Sequence, residues 1–186
     1  MQQSVDLKLP KREADALKTF CAEVEKRAGS DLLSLLLFGD AARGDFYPSD
    51  SGISLAVILK STTIEVLKPL REPLRNAQAA TRLVPMFLSQ DDLESATDVF
   101  PTKFLLMKHQ HQSLFGKDLL AEVSVQETHL RLRCEQELRN LTIRQRASFV
   151  KAARAERVEQ LVKSGVTGLL NNLRVLCYLK TKKLPA

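Results

Sequence analysis

Residues 38–59 read F-G-D-A-A-R-G-D-F-Y-P-S-D-S-G-I-S-L-A-V-I-L, and this stretch decides the fold. It follows one short apolar run, residues 32–38, and ends in another, residues 53–59. Uniform apolar runs of this length predict strands covered on both faces. Between them Gly39 stops the first run. Ala41-Ala-Arg43 then predicts a helical turn, with Asp40 placed to cap it by accepting backbone N–H bonds. Pro48-Ser-Asp-Ser-Gly52 is turn chemistry leading into the second strand.

Working outward, residues 11–28 place Leu17, Phe20, Cys21 and Val24 on one face of a helix that ends before Gly29. Thr62 or Thr63 can cap a later helix carrying Ile64, Val66, Leu67, Leu70 and Leu74, which Pro69 and Pro73 make short, kinked or broken. Residues 82–88 predict a third strand, confined by Pro85 to a sheet edge or a bulge. Ser89 caps a short helix with acidic residues in its first turn, and residues 101–107 predict a fourth strand. From Gln126 onward strand signals cease. Leu130, Cys134, Leu138 and Leu141 form one helical stripe. Leu161, Val166, Leu169, Leu170, Leu173, Leu176 and Leu179 form another. Two or three packed helices are expected there, with breaks near Gly165 and Gly168. The expected organisation is an α/β domain over residues 1–120 and a helical region over residues 121–186.

The net charge of +6 over 186 residues conceals an asymmetry. Residues 1–125 hold 15 Lys and Arg against 17 Asp and Glu, net −2, whereas residues 126–186 hold 13 against 5, net +8. A basic block attracts anionic partners without reading sequence. Its cations (Arg131, Arg133, Arg139, Arg144, Arg146, Lys151) spread over more than one helical face and alternate with Glu135 and Glu137, as on a solvated, ion-paired surface. With only Phe149 and Tyr178 as aromatics there, sequence-specific nucleic-acid recognition has no positive signal. Three distant cysteines without ligand spacing suggest neither a disulfide framework nor a structural zinc site. No apolar stretch approaches the roughly 18 residues of a membrane span, and no leader pattern opens the chain. A cytoplasmic protein with no membrane role is expected.

His109 and His111 stand two apart, on one face if that segment is a strand, but lack a third ligand. Gly116-Lys-Asp118 is not a phosphate loop, and no Ser-His-Asp or Cys-His set is spaced for catalysis.

The opening stretch resembles the signature of the DNA polymerase beta-like nucleotidyltransferases. That signature runs Gly-Ser, a turn with Ala-Arg-Gly-Asp, a loop with Pro and Ser, then Asp-x-Asp on a strand. Gly39, Arg43, Gly44, Asp45, Pro48 and Ser51 match it. Residues 100–109 and 129–139 are similar to stretches of a bacterial branch in which such a domain precedes a helical bundle that runs on further, so this chain looks like a shortened version. The resemblance implies an α+β fold: a nucleotidyltransferase-like mixed sheet with flanking helices, followed by a C-terminal helical bundle.

In that family the turn and Arg43 would cradle a triphosphate, making Gly39, Asp40 and Arg43 the nucleotide-binding positions, while the two aspartates hold paired Mg²⁺. Here the aspartate positions are Gly52 and Ser54, and residues 104–107, expected to bring a third carboxylate, are apolar. Asp40 replaces the family serine, where a carboxylate repels phosphate unless a metal intervenes. Asp50, with Asp40 or Asp45, is the weaker alternative metal site. Arg43 either pairs with phosphate or bridges Asp40 or Asp45. The expected function is a catalytically degenerate nucleotidyltransferase-fold protein acting as a binding or regulatory module, with no cofactor and a protein partner on the C-terminal helices. The alternatives are an active transferase using Mg²⁺ and ATP or GTP to modify a protein, small-molecule or nucleic-acid acceptor, and an electrostatic nucleic-acid binder.

Overall fold

The structure, a computed structural model, describes residues 7–49, 51–151 and 155–185, with backbone only over 155–164. Helix α1 (Lys11–Ala28) leads into β1 (Leu32–Phe38), and the one-turn helix α2 (Asp40–Arg43) and a loop return the chain as β2 (Ile53–Leu59). The crossover holds α3 (Ile64–Leu67), a 3-10 turn at Lys68–Leu70 and α4 (Arg71–Ala80), then comes β3 (Leu83–Ser89). The prolines thus break the expected helix into three pieces. Next are α5 (Gln90–Val99), α6 (Pro101–His109), β4 (His111–Gly116), α7 (Glu127–Lys151) and α8 (Ala155–Thr181).

The four strands form one mixed sheet in the order β3-β2-β1-β4. β1 pairs antiparallel with β2 and β4, whereas β2 and β3, joined by the helical crossover, run parallel. Pro85 lies on edge strand β3, where a missing N–H donor is tolerated. Leu35, Leu37, Leu55, Val57 and Leu59 pack against Leu17, Phe20 and Val24 of α1 and Leu70 and Ala77 of the crossover. This is the α/β core, and its apolar burial drives the fold.

Two expectations are corrected. Residues 101–107 are helical, not a strand: Phe104, Leu105 and Met107 are all buried, so α6 is apolar on several sides and imitates a buried strand in sequence. The fourth strand lies further on, at His111–Gly116, and is too polar to show as an apolar run. Nor do Gly165 and Gly168 break the last helix, because α8 runs continuously through both. A Cβ at Gly165 would meet the Gln145 side chain of α7, so close helix packing occupies the space that a side chain would need.

By its internal contacts the chain divides into two units, Met1–Ser95 with Met107–Val123, and Ala96–Leu106 with Ser124–Ala186. The second unit has its own small core of Leu105, Leu130, Cys134 and Val175. No helix among the described residues is long and apolar enough to cross a membrane.

Two predictions follow from local geometry. Gly116 ends β4 with φ +76°, and a Cβ there would lie 2.0 Å from the Leu33 carbonyl oxygen. Gly116→Ala should therefore lose about 3 kcal/mol or more in urea denaturation, through a left-handed backbone plus a backbone clash. At the start of α5, the Asp92 amide donates to Ser89 Oγ at 3.1 Å and the Ser89 amide donates to Asp92 Oδ2 at 2.7 Å, a reciprocal cap. The bond from the Ser89 amide, then that from its hydroxyl, holds the Asp92 pKa below its ordinary 3.8. A lowered folded-state pKa stabilises above 3.8, and the gain disappears as pH falls through the folded value. Asp92→Asn should cost about 1 kcal/mol at pH 7, a difference that shrinks toward zero in denaturation series carried below pH 3.8.

Candidate functional site

Because Phe38 pairs with Ser54, the turn leaving β1 sits over the first residues of β2. Gly39 makes that turn with φ +75°, and its carbonyl accepts the amides of Ala42 and Arg43, both at 3.1 Å. A Cβ on Gly39 would stand 3.8 Å from Ser54 Oγ. Gly39 is thus the residue that caps α2, and Asp40 is the first residue inside it. The expectation that the Asp40 side chain caps backbone N–H groups is corrected accordingly.

Asp40 is instead held by side chains. Its Oδ1 accepts Arg43 Nη2 at 2.5 Å and its Oδ2 accepts the Ser51 hydroxyl at 3.0 Å. Arg43, only 17% exposed, also donates Nε to Asp45 Oδ2 at 3.1 Å and Nη1 to Gln110 Oε1 at 2.9 Å. One guanidinium therefore joins α2, the following loop and the segment entering β4, using the planar donor array that lysine lacks. Gln112 of β4 adds a bond from Nε2 to the Ala42 carbonyl at 3.1 Å. Of the two roles open to Arg43, the structure displays the bridge to both carboxylates. Two carboxylates against one guanidinium leave the cluster at net −1, which repels phosphate rather than attracting it.

Of the positions expected to carry metal ligands, Gly52 and Ser54 lie beside β3, whereas residues 104–107, expected to bring the third carboxylate, belong to α6 and not to the sheet. β2 and β3 are in register, with Ser54 beside Val84. A Cβ built on Gly52 would lie 2.9 Å from Val84 Cγ2 and 3.2 Å from the Arg82 carbonyl. Residues 52, 54 and 84 thus cluster by the Gly39 turn, and they are glycine, serine and valine. Divalent magnesium needs oxygen ligands, usually carboxylates with water or phosphate, so this donor set does not fit a pair of such ions. Asp50, the alternative ligand, lies outside the described residues. Among the described residues no group of three His, Cys, Asp or Glu is placed to hold a metal.

Other sequence candidates separate. His109 ends α6 while His111 opens β4, so they do not share a strand face. Burial, then the charge of Lys108, lowers the His109 pKa. His111 is fixed by the Met107 and Lys108 carbonyls at 2.8 and 3.0 Å and by Asp118 at 2.8 Å. Burial pushes the Cys21 thiol up to about 12 and the Cys134 thiol up to about 11, which makes both poor nucleophiles at neutral pH. In α7, Arg133 pairs with Glu137 and Arg139 with Glu135, one turn apart. Gln110, Gln112 and Val84 were not foreseen. Their roles depend on pairings distant in sequence, and no local spacing marks them.

No protein-family profile and no curated protein sequence matches the chain. Solved structures do. A spectinomycin adenyltransferase from Enterococcus faecialis, solved with ATP and spectinomycin, superposes with a TM-score of 0.59 over 93% of this chain and 78% of its own, at 11% identity. A toxin-antitoxin structure with AMP-PNP matches with a TM-score of 0.43 over 66% of this chain and 96% of its own, at 16% identity. The chain has the nucleotidyltransferase fold.

The Arg43 brace is testable through stability. Arg43→Lys should cost about 1–2 kcal/mol in urea denaturation, because lysine cannot span the three acceptors. A double-mutant cycle of Arg43→Ala with Asp40→Ala should return a coupling of about 1 kcal/mol. Additive effects would refute the bridge.

Proposed function

We propose that this nucleotidyltransferase-fold chain does not transfer nucleotides and works as a binding or regulatory module. The observation that carries the reading is that Gly52 and Ser54, the positions the resemblance assigns to the metal-binding aspartates, have an aliphatic residue, Val84, as their neighbour on β3. Phosphoryl-group chemistry of this class depends on cations that neutralise charge on the attacking and leaving oxygens. None of the three residues supplies an anionic oxygen. Val84 also fills the space into which a residue-52 side chain would project.

A second feature supports the same reading. The turn that would receive phosphates is closed on itself, with Arg43 engaged by Asp40, Asp45 and Gln110. An incoming triphosphate would have to break those bonds and face two carboxylates. We propose no cofactor and a cytoplasmic location on the same grounds of composition and site chemistry.

The alternative is a live Mg²⁺-dependent transferase with Asp50 and Asp40 or Asp45 as relocated ligands. Calorimetry with ATP and GTP, with and without Mg²⁺, separates the two. No metal-dependent binding tighter than about 100 μM is expected, and such binding would overturn the proposal. The triple variant Gly52→Asp, Ser54→Asp, Val84→Ala should acquire Mn²⁺ binding by paramagnetic titration, because it restores oxygen ligands and removes the Val84 methyl groups that crowd residue 52. If that variant folds and still takes up no metal, the assignment of residues 52 and 54 to the metal positions is wrong.

A further inference from the structure

Helix α8 carries two apolar arcs. Asn172 and Val175 are buried on one, with Tyr178 and Leu179 partly covered against the small core of Leu105, Leu130 and Cys134. Val166, Leu169, Leu170, Leu173 and Leu176 make up the other, and they are 39–47% exposed. At 100° per residue these five fall within an arc of about 120°. Together they present roughly 300–400 Å² of apolar surface, within the range of the largest patch on a typical monomer, which is often functional.

The charges of α8 and the tail beyond its midpoint are of one sign in sequence, although Lys182 is paired with Glu127 of α7. Glu159 is the last acidic residue of the chain, and from Gln160 to Ala186 the sequence holds Lys163, Arg174, Lys180, Lys182 and Lys183 with no Asp or Glu. Lys180 continues the line of Val166 and Leu173 at seven-residue spacing. A second copy of this chain would set a net +8 region against another, which costs energy in an interface. An anionic lipid surface would favour a protruding helix with interfacial aromatics. This stripe has none, and each of its side chains is more than half covered. Aliphatic side chains at three- and four-residue spacing form the ridges between which the ridge of a second helix packs.

We propose that the exposed stripe of α8 is a docking face for an amphipathic helix of another protein, with aliphatic residues at three- and four-residue spacing and acidic flanks. The inference goes beyond the proposed loss of transfer and holds whether or not the α/β unit binds nucleotide.

The test uses the full chain and a fluorescein-labelled 21-residue peptide, a length of about six helical turns. The peptide has leucine at heptad positions a and d and glutamate at e and g, so self-repulsion keeps it monomeric. Anisotropy at 50 mM salt should show saturable binding, at least about tenfold tighter than for a scrambled peptide of the same composition or a lysine-for-glutamate version. Leu169→Gln with Leu173→Gln, both at exposed positions, should weaken binding at least about tenfold while circular dichroism and Tm stay unchanged. Equal binding of the scrambled peptide, or none by the designed one, would overturn the proposal. So would a dimer in sedimentation equilibrium, or cosedimentation with phosphatidylserine-containing vesicles, that the same double substitution abolishes.

Discussion

The antiparallel pairing of β1 with β2, which sets Phe38 opposite Ser54, governs the geometry of the candidate site. It requires the chain to leave β1, turn over its own sheet and re-enter beside itself. Gly39 makes that departure possible with a positive φ that other residues seldom adopt. Both strands are buried on both faces, so their register is held by how these particular side chains pack against α1 and the crossover. The same constraint presents residues 52 and 54 to the turn, and the parallel pairing with β3 adds residue 84.

The turn itself is stabilised by polar chemistry. Arg43 is mostly covered, and a guanidinium taken from water has to recover its lost hydration through hydrogen bonds. Asp40, Asp45 and Gln110 supply acceptors on three sides. Exposed ion pairs are individually weak, but here the pairs share one planar donor, so each limits the motion that would break the others. The arrangement needs no ligand to be complete. That self-sufficiency is the structural counterpart of the proposed functional reading.

Much of this was legible in the sequence, and the failures have physical causes. The bounds of α1, β1 and β2 coincide with the apolar patterns and glycine stops that predict them. α6 deceived because a short apolar segment buried on several sides has no period to reveal. β4 was missed for the opposite reason: as an edge strand of mixed character it carries no uniform run. Gly39, Arg43, Asp45 and Ser51 could be singled out because the turn is local. Val84, Gln110 and Gln112 reach the site only through sheet pairing. Asp40 was placed in the right turn with the wrong partner, since one residue of uncertainty in a helix start decides whether a carboxylate faces amides or the arginine a turn later.

The proposed loss of transfer also bears on how a nucleotidyltransferase fold can persist with glycine, serine and valine at residues 52, 54 and 84. A two-cation site gathers like charges at close range, and without metal those charges repel one another or take up protons at some cost to stability. Glycine, serine and valine at the same positions carry no such cost. Val84 in particular spreads aliphatic surface over the place where a residue-52 side chain would lie. Exchanging catalytic for stabilising residues is a recurrent trade in proteins, because active sites are strained relative to the scaffold that holds them. On this argument the sheet, the Gly39 turn and the Arg43 brace form a structure that stands without metal or nucleotide. Pressure on the sequence can then shift toward surfaces that contact other molecules, and the exposed apolar arc of α8 is one such surface.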